Sequence, residues 1–207
     1  MRKVEIVKNP APTEVPVNEI VRERWSPRAF SDKAVTPEVL HSLFEAARWA
    51  PSSSNLQPWA YIVGTKDDKQ NFDKVLSTLV EFNQAWAKHA PVLALSVAQV
   101  KNPKDGAANR WAFHDVGSAS AQLTAEAVSR GLYVHQMAGI DPNEARKVFN
   151  IPDGWDAVAA IAIGYPGDPS SLPDKLRERE LAPRVRKPLS EFVMTGAWGH
   201  TASFVSK

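Results

Sequence analysis

The chain has 207 residues, of which 43% are hydrophobic, enough to bury a sizeable core in one domain or a tightly joined pair. Its 25 Lys and Arg nearly cancel 23 Asp and Glu, and a formal charge of +2 is too even for nucleic acid or an acidic membrane as the main partner. With no cysteine, disulfides, thiolate metal ligands, iron–sulfur ligation and thiol nucleophiles are excluded.

Met1 to Asn9 scatters its charges and holds no apolar stretch of signal-peptide length. No segment approaches the roughly 18 apolar residues of a spanning helix, so a soluble, cytoplasmic protein is expected. Residues 8–18 carry three prolines and read as an extended arm, taken as 1–20. A basic segment, Val21 to Phe30, follows. Thr36-Pro37-Glu38 opens a helix: an N-cap hydroxyl, proline at the first helical position and an acid in the first turn. Val39, Leu40, Leu43, Phe44 and Ala47 give it one buried face, and Pro51 ends it before the polar loop Ser52 to Asn55.

Trp59 to Thr65 reads as a strand, and Pro91 to Val100 holds a second. Between them, Asp68 to Ala87 is helical in pattern. Asp115 to Arg130 predicts an alanine-rich helix with Gly131 as its C-terminal cap. Leu132 to Met137 is a short extended segment. Asp141-Pro142-Asn143-Glu144 starts another helix. Ala157 to Ile163 is an apolar run expected to be a strand buried on both faces, stopping at the turn Gly164 to Gly167. Lys175 to Lys187 sets six cations against two acids, and Leu189 to Lys207 is an apolar tail that must pack on its own domain or on a partner. Helices outnumber strands without regular alternation, which favours an α+β fold.

Most familiar chemical machinery is missing. There is no glycine-rich phosphate loop, no His-Glu-x-x-His and no Gly-x-Ser-x-Gly. The five histidines, His41, His89, His114, His135 and His200, lack metal-ligand spacing, and a structural role is expected for the adjacent pair His114-Asp115. The 7 tryptophans hint at a flat aromatic ligand or a large subunit interface, with core packing the plainer reading.

Three segments carry more. Arg22 to Arg28 alternates cations around Ser26 on an irregular stretch. Arg184-Val185-Arg186-Lys187 places two arginines on one side of an extended backbone. Such forks suit a phosphate, which accepts bidentate charge-assisted hydrogen bonds, although a charge run alone is usually a solvated surface. Pro51 to Trp59 gathers three hydroxyls and two carboxamides between a helix end and a strand. It can read a polar heterocyclic edge, or can simply cap and turn the chain.

Together these segments resemble the nitroreductase family. Arg24-Trp25-Ser26-Pro27-Arg28-Ala29-Phe30 is similar to its N-terminal Arg-x-Ser-x-Arg-x-Phe motif, and Ala50 to Trp59 to its second motif. Arg184 to Leu189 resembles the third, and Gly131-Leu132 with Gly139 the fourth, so the likeness runs from about Val21 to Val193. The resemblance implies an α+β fold with a mixed central sheet flanked by helices, an FMN-binding domain over 21–188, and a C-terminal extension over 189–207 embracing a partner in a homodimer. Each of two interface clefts would hold one FMN. Arg24, Ser26, Arg184 and Arg186 would hold its phosphate and ribityl chain, with Trp25 contributing backbone. Arg28 and Asn83 would meet the pyrimidine edge, while Pro51, Ser52, Ser53, Asn55 and Gln57 would come from the other subunit. Met137, Ala138 and Gly139 would pass near the flavin N5, with the Gly139 amide as a donor. Trp86, Trp111, Phe113 and His135 are candidates for the substrate cleft or for plain packing. No protein nucleophile and no metal are implied.

The activity implied is hydride transfer from NAD(P)H through flavin N5 to a nitroaromatic or quinone, by a ping-pong scheme. Reductive dehalogenation, flavin fragmentation by oxygen, and a non-catalytic flavin-binding module are the alternatives. This chain departs from some relatives in carrying Ala138 where they have a glutamate and Trp86 where they have a lysine. Its Lys101 to Trp111 connector is also short.

Overall fold

The computed structural model describes residues 8–205, so the first seven residues of the expected arm and the last two of the tail lie outside the described residues. Strand β2 (Val92–Gln99) is the centre of the fold. It pairs on one side with β1 (Trp59–Thr65) and on the other with β4 (Trp155–Gly164), and β3 (Tyr133–Met137) lies outside β4. All three pairings are antiparallel. The α+β class holds, but the sheet is antiparallel throughout rather than mixed, because each neighbouring strand returns the chain in the opposite sense.

The pleat of β2 sends alternate side chains to opposite faces. Val92 and Ala94 join a cluster with Leu43 and Ala47 of α2 (Pro37–Arg48) and Ala119, Leu123 and Ala127 of α5 (Ala112–Ser129). Leu93 joins the other side, among Phe72 and Val75 of α3 (Lys69–Ser77), Trp86 and Ala87 of α4 (Glu81–Ala87), and Leu176 of α7 (Asp174–Leu181). A sheet buried on both faces explains the near-continuous apolar composition of β2. In β4 only Ala160 to Gly164 is buried on both faces; Trp155 to Ala159, beside a register shift at Ser96/Val97, is half-buried.

Local chemistry sets the ends. Thr36 Oγ1 accepts from the Val39 amide to cap α2, and Asp141 accepts from Asn143 and Glu144 to cap α6 (Pro142–Phe149). The single helix expected over Asp68 to Ala87 is two. Val80 donates its amide to the Gly139 carbonyl, Asp141 donates to the Thr78 carbonyl, and the buried Thr78 hydroxyl turns back to Val75. Pairing with a distant segment interrupts the helix at residues 78–80 and redirects α4. No helix among the described residues is long and apolar enough to cross a membrane.

Helix α3 lies directly on β1 at Gly64, where an added Cβ would sit 2.6 Å from the Phe72 backbone. Gly64→Ala is therefore expected to destabilise the fold by about 1–3 kcal/mol through overpacking, measured as a lowered denaturant midpoint.

Candidate functional site

Past the short helix α1 (Glu19–Glu23), Arg24 to Phe30 runs without regular structure, pinned by the buried side chains of Trp25, Pro27, Ala29 and Phe30. Its backbone is fixed by a residue that the sequence hid. Glu180 of α7, only 1% exposed, accepts from the Arg28 amide at 2.8 and 2.9 Å and from the Ala29 amide at 3.0 Å. The same carboxylate lies 3.8 Å from the Arg28 guanidinium. Burial pushes the Glu180 carboxyl up, opposed by the Ala29 and Arg28 amides and the Arg28 charge. In sequence, Glu180 sits in an alternating charge run that reads as solvated surface.

The two arginine motifs meet. Arg24 Nη1 donates to Ser26 Oγ at 3.3 Å. Arg184 Nη1 donates to the carbonyls of Asn9 at 2.9 Å and Arg22 at 3.2 Å, tying the proline-rich arm to the C-terminal motif. Burial holds Arg24 below its ordinary pKa, and the Arg186 charge adds to this. Arg184 is lowered likewise, by burial and then by Arg24 and Arg186. Three guanidinium groups close enough to repel one another form a ready anion site.

A second group adjoins the first through Arg28. Its Cζ lies 6.0 Å from the ring of Trp86, which is 1% exposed and packed on Phe30 and, at 4.6 Å, on His135. Trp86 is thus a core residue here. His135 Nδ1 is 2.9 Å from the Pro27 carbonyl, a contact that requires the proton on Nδ1. Burial lowers the His135 pKa to about 4, against the Pro27 carbonyl and with the help of Arg28. One turn before Trp86, Asn83 donates to the Gly139 carbonyl at 3.1 Å. Any Cβ at Gly139 would stand 2.5 Å from Asn83 Nδ2, so this contact needs glycine. Met137 is buried and Ala138 exposed. Two buried donors, Arg28 Nε and Trp86 Nε1, have no partner among the described residues.

The polar loop forms a third group. Asp115, 3% exposed on α5, accepts from Ser52 Oγ at 3.0 Å and from the Ser53 amide at 2.9 Å. Ser52 Oγ in turn accepts from the Gln57 amide at 2.8 Å. Ser54, Asn55 and Gln57 all have φ near +50°, conformations that non-glycine residues hold only when surroundings impose them. Pro51, Asn55 and Gln57 are exposed. His114 Nδ1 reaches its neighbour, 3.1 Å from Asp115 Oδ1. The pair serves structure, since the other carboxylate oxygen secures the loop. Trp111 and Phe113, 46% and 53% exposed, stand at the start of α5, where Phe113 lines a pocket with Pro142, Arg146 and Asp156 rather than with Trp86 or His135.

Helix α5 separates the groups. Asp115 is near its start, whereas Val128, near its end, lines a groove with Glu23 and Tyr133, and Tyr133 packs edge-on against Trp25. Thirteen residues of helix span about 20 Å. Among the described residues no hydrogen bond or ion pair joins the serine loop to the arginine cluster.

The lowered His135 pKa has a consequence for stability. Between pH about 6.5 and about 4 the unfolded chain protonates this imidazole and the folded chain does not, so stability falls as the pH is lowered through that window. The loss attributable to His135 should reach about 3 kcal/mol and stop below pH about 4. His135→Gln is expected to flatten this part of the profile, measured by urea denaturation at several pH values.

A sequence profile of the nitroreductase family matches residues 21–165. A solved structure described as an oxidoreductase containing FMN superposes with a TM-score of 0.88 at 34% identity, covering 95% of this chain and 100% of that one. An uncharacterised 15.4 kDa protein of Mycolicibacterium smegmatis is 36% identical over 68% of this chain and 97% of its own. The FMN reductase [NAD(P)H] of Bacillus subtilis is 27% identical over 77% of this chain and 71% of its own. With the motif segments assembled as described and the profile spanning most of its length, this chain belongs to the nitroreductase family.

Proposed function

We propose that the protein is an FMN-dependent oxidoreductase that takes hydride from NAD(P)H and delivers it to a small oxidised acceptor such as a nitroaromatic or quinone. The observation that carries this is the meeting of residues from opposite ends of the chain: Arg184 bonds the Arg22 carbonyl two residues before Arg24, Arg184 and Arg186 line one pocket, and the three guanidinium charges act on one another with Glu23 as the nearby acid. Such a cluster fits a terminal phosphate, and the unpartnered Arg28 Nε beside it fits a second acceptor such as a pyrimidine carbonyl. Kinship with an FMN reductase and with an FMN-containing oxidoreductase supports the same cofactor.

In this reading Arg24, Ser26, Arg184 and Arg186 hold the phosphate and ribityl chain, while Arg28 and Asn83 serve the pyrimidine edge. Met137, Ala138 and the Gly139 amide serve the N5 side. Bound FMN supplies the hydride chemistry, and the protein orients it and places cations where negative charge develops on reduction. Buried, uncharged His135 fixes the Ser26-Pro27 backbone without contributing a proton at neutral pH.

In this reading the serine loop, tied to Asp115 near the start of α5, is supplied to the site by a second copy. The reading includes a homodimer, with Ser52, Ser53, Asn55 and Gln57 of one subunit facing the arginine cluster of the other. Large exposed apolar side chains support it: Trp198 is 92% exposed, Phe204 83% and Phe192 59%, all in the C-terminal segment that would embrace the partner.

Two outcomes test this reading. Arg186→Glu should weaken FMN binding at least roughly tenfold, since charge-assisted bonds are worth about 1.5–3 kcal/mol each. Lys187→Glu should do much less, because Lys187 already faces Glu191 at 3.9 Å. Fluorescence titration of FMN into the apoprotein reads both, and equal losses would reduce the cluster to a diffuse field. Steady-state kinetics with NAD(P)H and a quinone should give parallel double-reciprocal lines, because one cleft serves donor and acceptor in turn. Intersecting lines would require a second site.

A further inference from the structure

Arg28 is the cation that the functional reading sets at the pyrimidine edge, yet it does not stand alone. Its guanidinium has the Trp86 face on one side and the Glu180 carboxylate on another. Of the charged groups acting on it, Glu180 is the single acid and Arg179 the accompanying cation; burial contributes first of all. His135, also near, is uncharged at neutral pH. The carboxylate is held in place independently of the guanidinium, because it receives the Arg28 and Ala29 amides at 2.8–3.0 Å. A carboxylate wanted only to fasten a loop has no need to approach the side chain that the loop presents, and an amide oxygen would accept the same bonds. The side-chain pair, at 3.8 Å and with Glu180 almost wholly out of water, is an additional feature.

We propose that Glu180 is a positioning residue that fixes Arg28 and screens its charge at the flavin, thereby setting how strongly the site favours the reduced cofactor. The inference rests on the FMN reading. Reduction places negative charge on the flavin N1 side, and a neighbouring cation stabilises it in proportion to its uncompensated charge. A carboxylate in a low-dielectric surrounding, close to that cation, takes away part of the effect. Glu180 therefore holds the flavin at a lower potential than a bare arginine would, which keeps the reduced state ready to give up its hydride.

The experiment is an equilibrium titration of the FMN-loaded protein against a reference dye, comparing Glu180→Gln with the native chain. Glutamine keeps the shape and one acceptor oxygen for the amides and removes the charge. The preference for reduced over oxidised FMN should rise about tenfold, equivalent to a potential about 30 mV more positive for a two-electron couple. A role confined to fastening the loop predicts a lower melting temperature with an unmoved potential, and that result overturns the proposal. Should Glu180→Gln not fold, Glu180→Asp, which draws the charge back by one methylene, must shift the preference in the same direction by roughly twofold or more; no shift overturns it equally. Uptake of FMN with an unmoved potential sinks this inference alone. Failure to take up FMN sinks the functional reading and this inference with it.

Discussion

A carboxyl group taken out of water is costly unless its oxygens are hydrogen-bonded, and among the described residues two buried ones, Glu180 and Asp115, stand against the motif segments. Glu180 receives the amides of Arg28 and Ala29, and Asp115 receives the Ser53 amide and the Ser52 hydroxyl. In both cases a backbone amide of a connecting segment is among the bonded partners. Loops of this kind have no ladder to hold them, so a buried acceptor in a neighbouring helix replaces one. The conformations at Ser54, Asn55 and Gln57 persist because Asp115 fixes the loop at its start and Ser52 closes it through the Gln57 amide.

The sheet provides the distance scale on which these anchors work. Antiparallel pairing puts β2 at the centre with helices on both faces, and α5 crosses one face along its full length. Because α5 carries Asp115 near one end and packs near Tyr133 at the other, a single rigid helix determines how far apart the serine loop and the arginine segment must stay. The alanines on its inner face, Ala119 and Ala127, let it lie close to the sheet and to α2. Separation of the two loops is thus a property of the core and not of the loops themselves.

Much of this was legible in the sequence, and what was not has a common cause. Helix starts at Thr36 and Asp141 were readable because a capping side chain acts within three residues. The motif segments Arg24 to Phe30, Ala50 to Trp59 and Arg184 to Leu189 were readable as a set. The interruption at residues 78–80 was not, because its hydrogen bonds reach to residues 139–141 and leave no local breaker. Glu180 was invisible for the same reason: its partners are 151 and 152 positions away, and its own neighbours are charges that usually face water. Asp115 reads in sequence as a helix start and as the neighbour of His114, although its larger role lies 62 and 63 positions back. Trp86 shows the reverse case, where an aromatic open to several readings proves to be buried core.

The clasp between Arg184 and the carbonyls of Asn9 and Arg22 also governs the order in which the molecule matures. Its partners lie 175 and 162 positions apart in the chain. During vectorial synthesis the arm and the first arginine segment emerge early, and must wait for almost the entire polypeptide before their counterpart leaves the ribosome. A nascent chain therefore offers only half of the arginine cluster until Arg184 and Arg186 have been made. Closure over so long a loop makes this clasp a late event in folding, reached only after the local helices and hairpin-like pairings have formed.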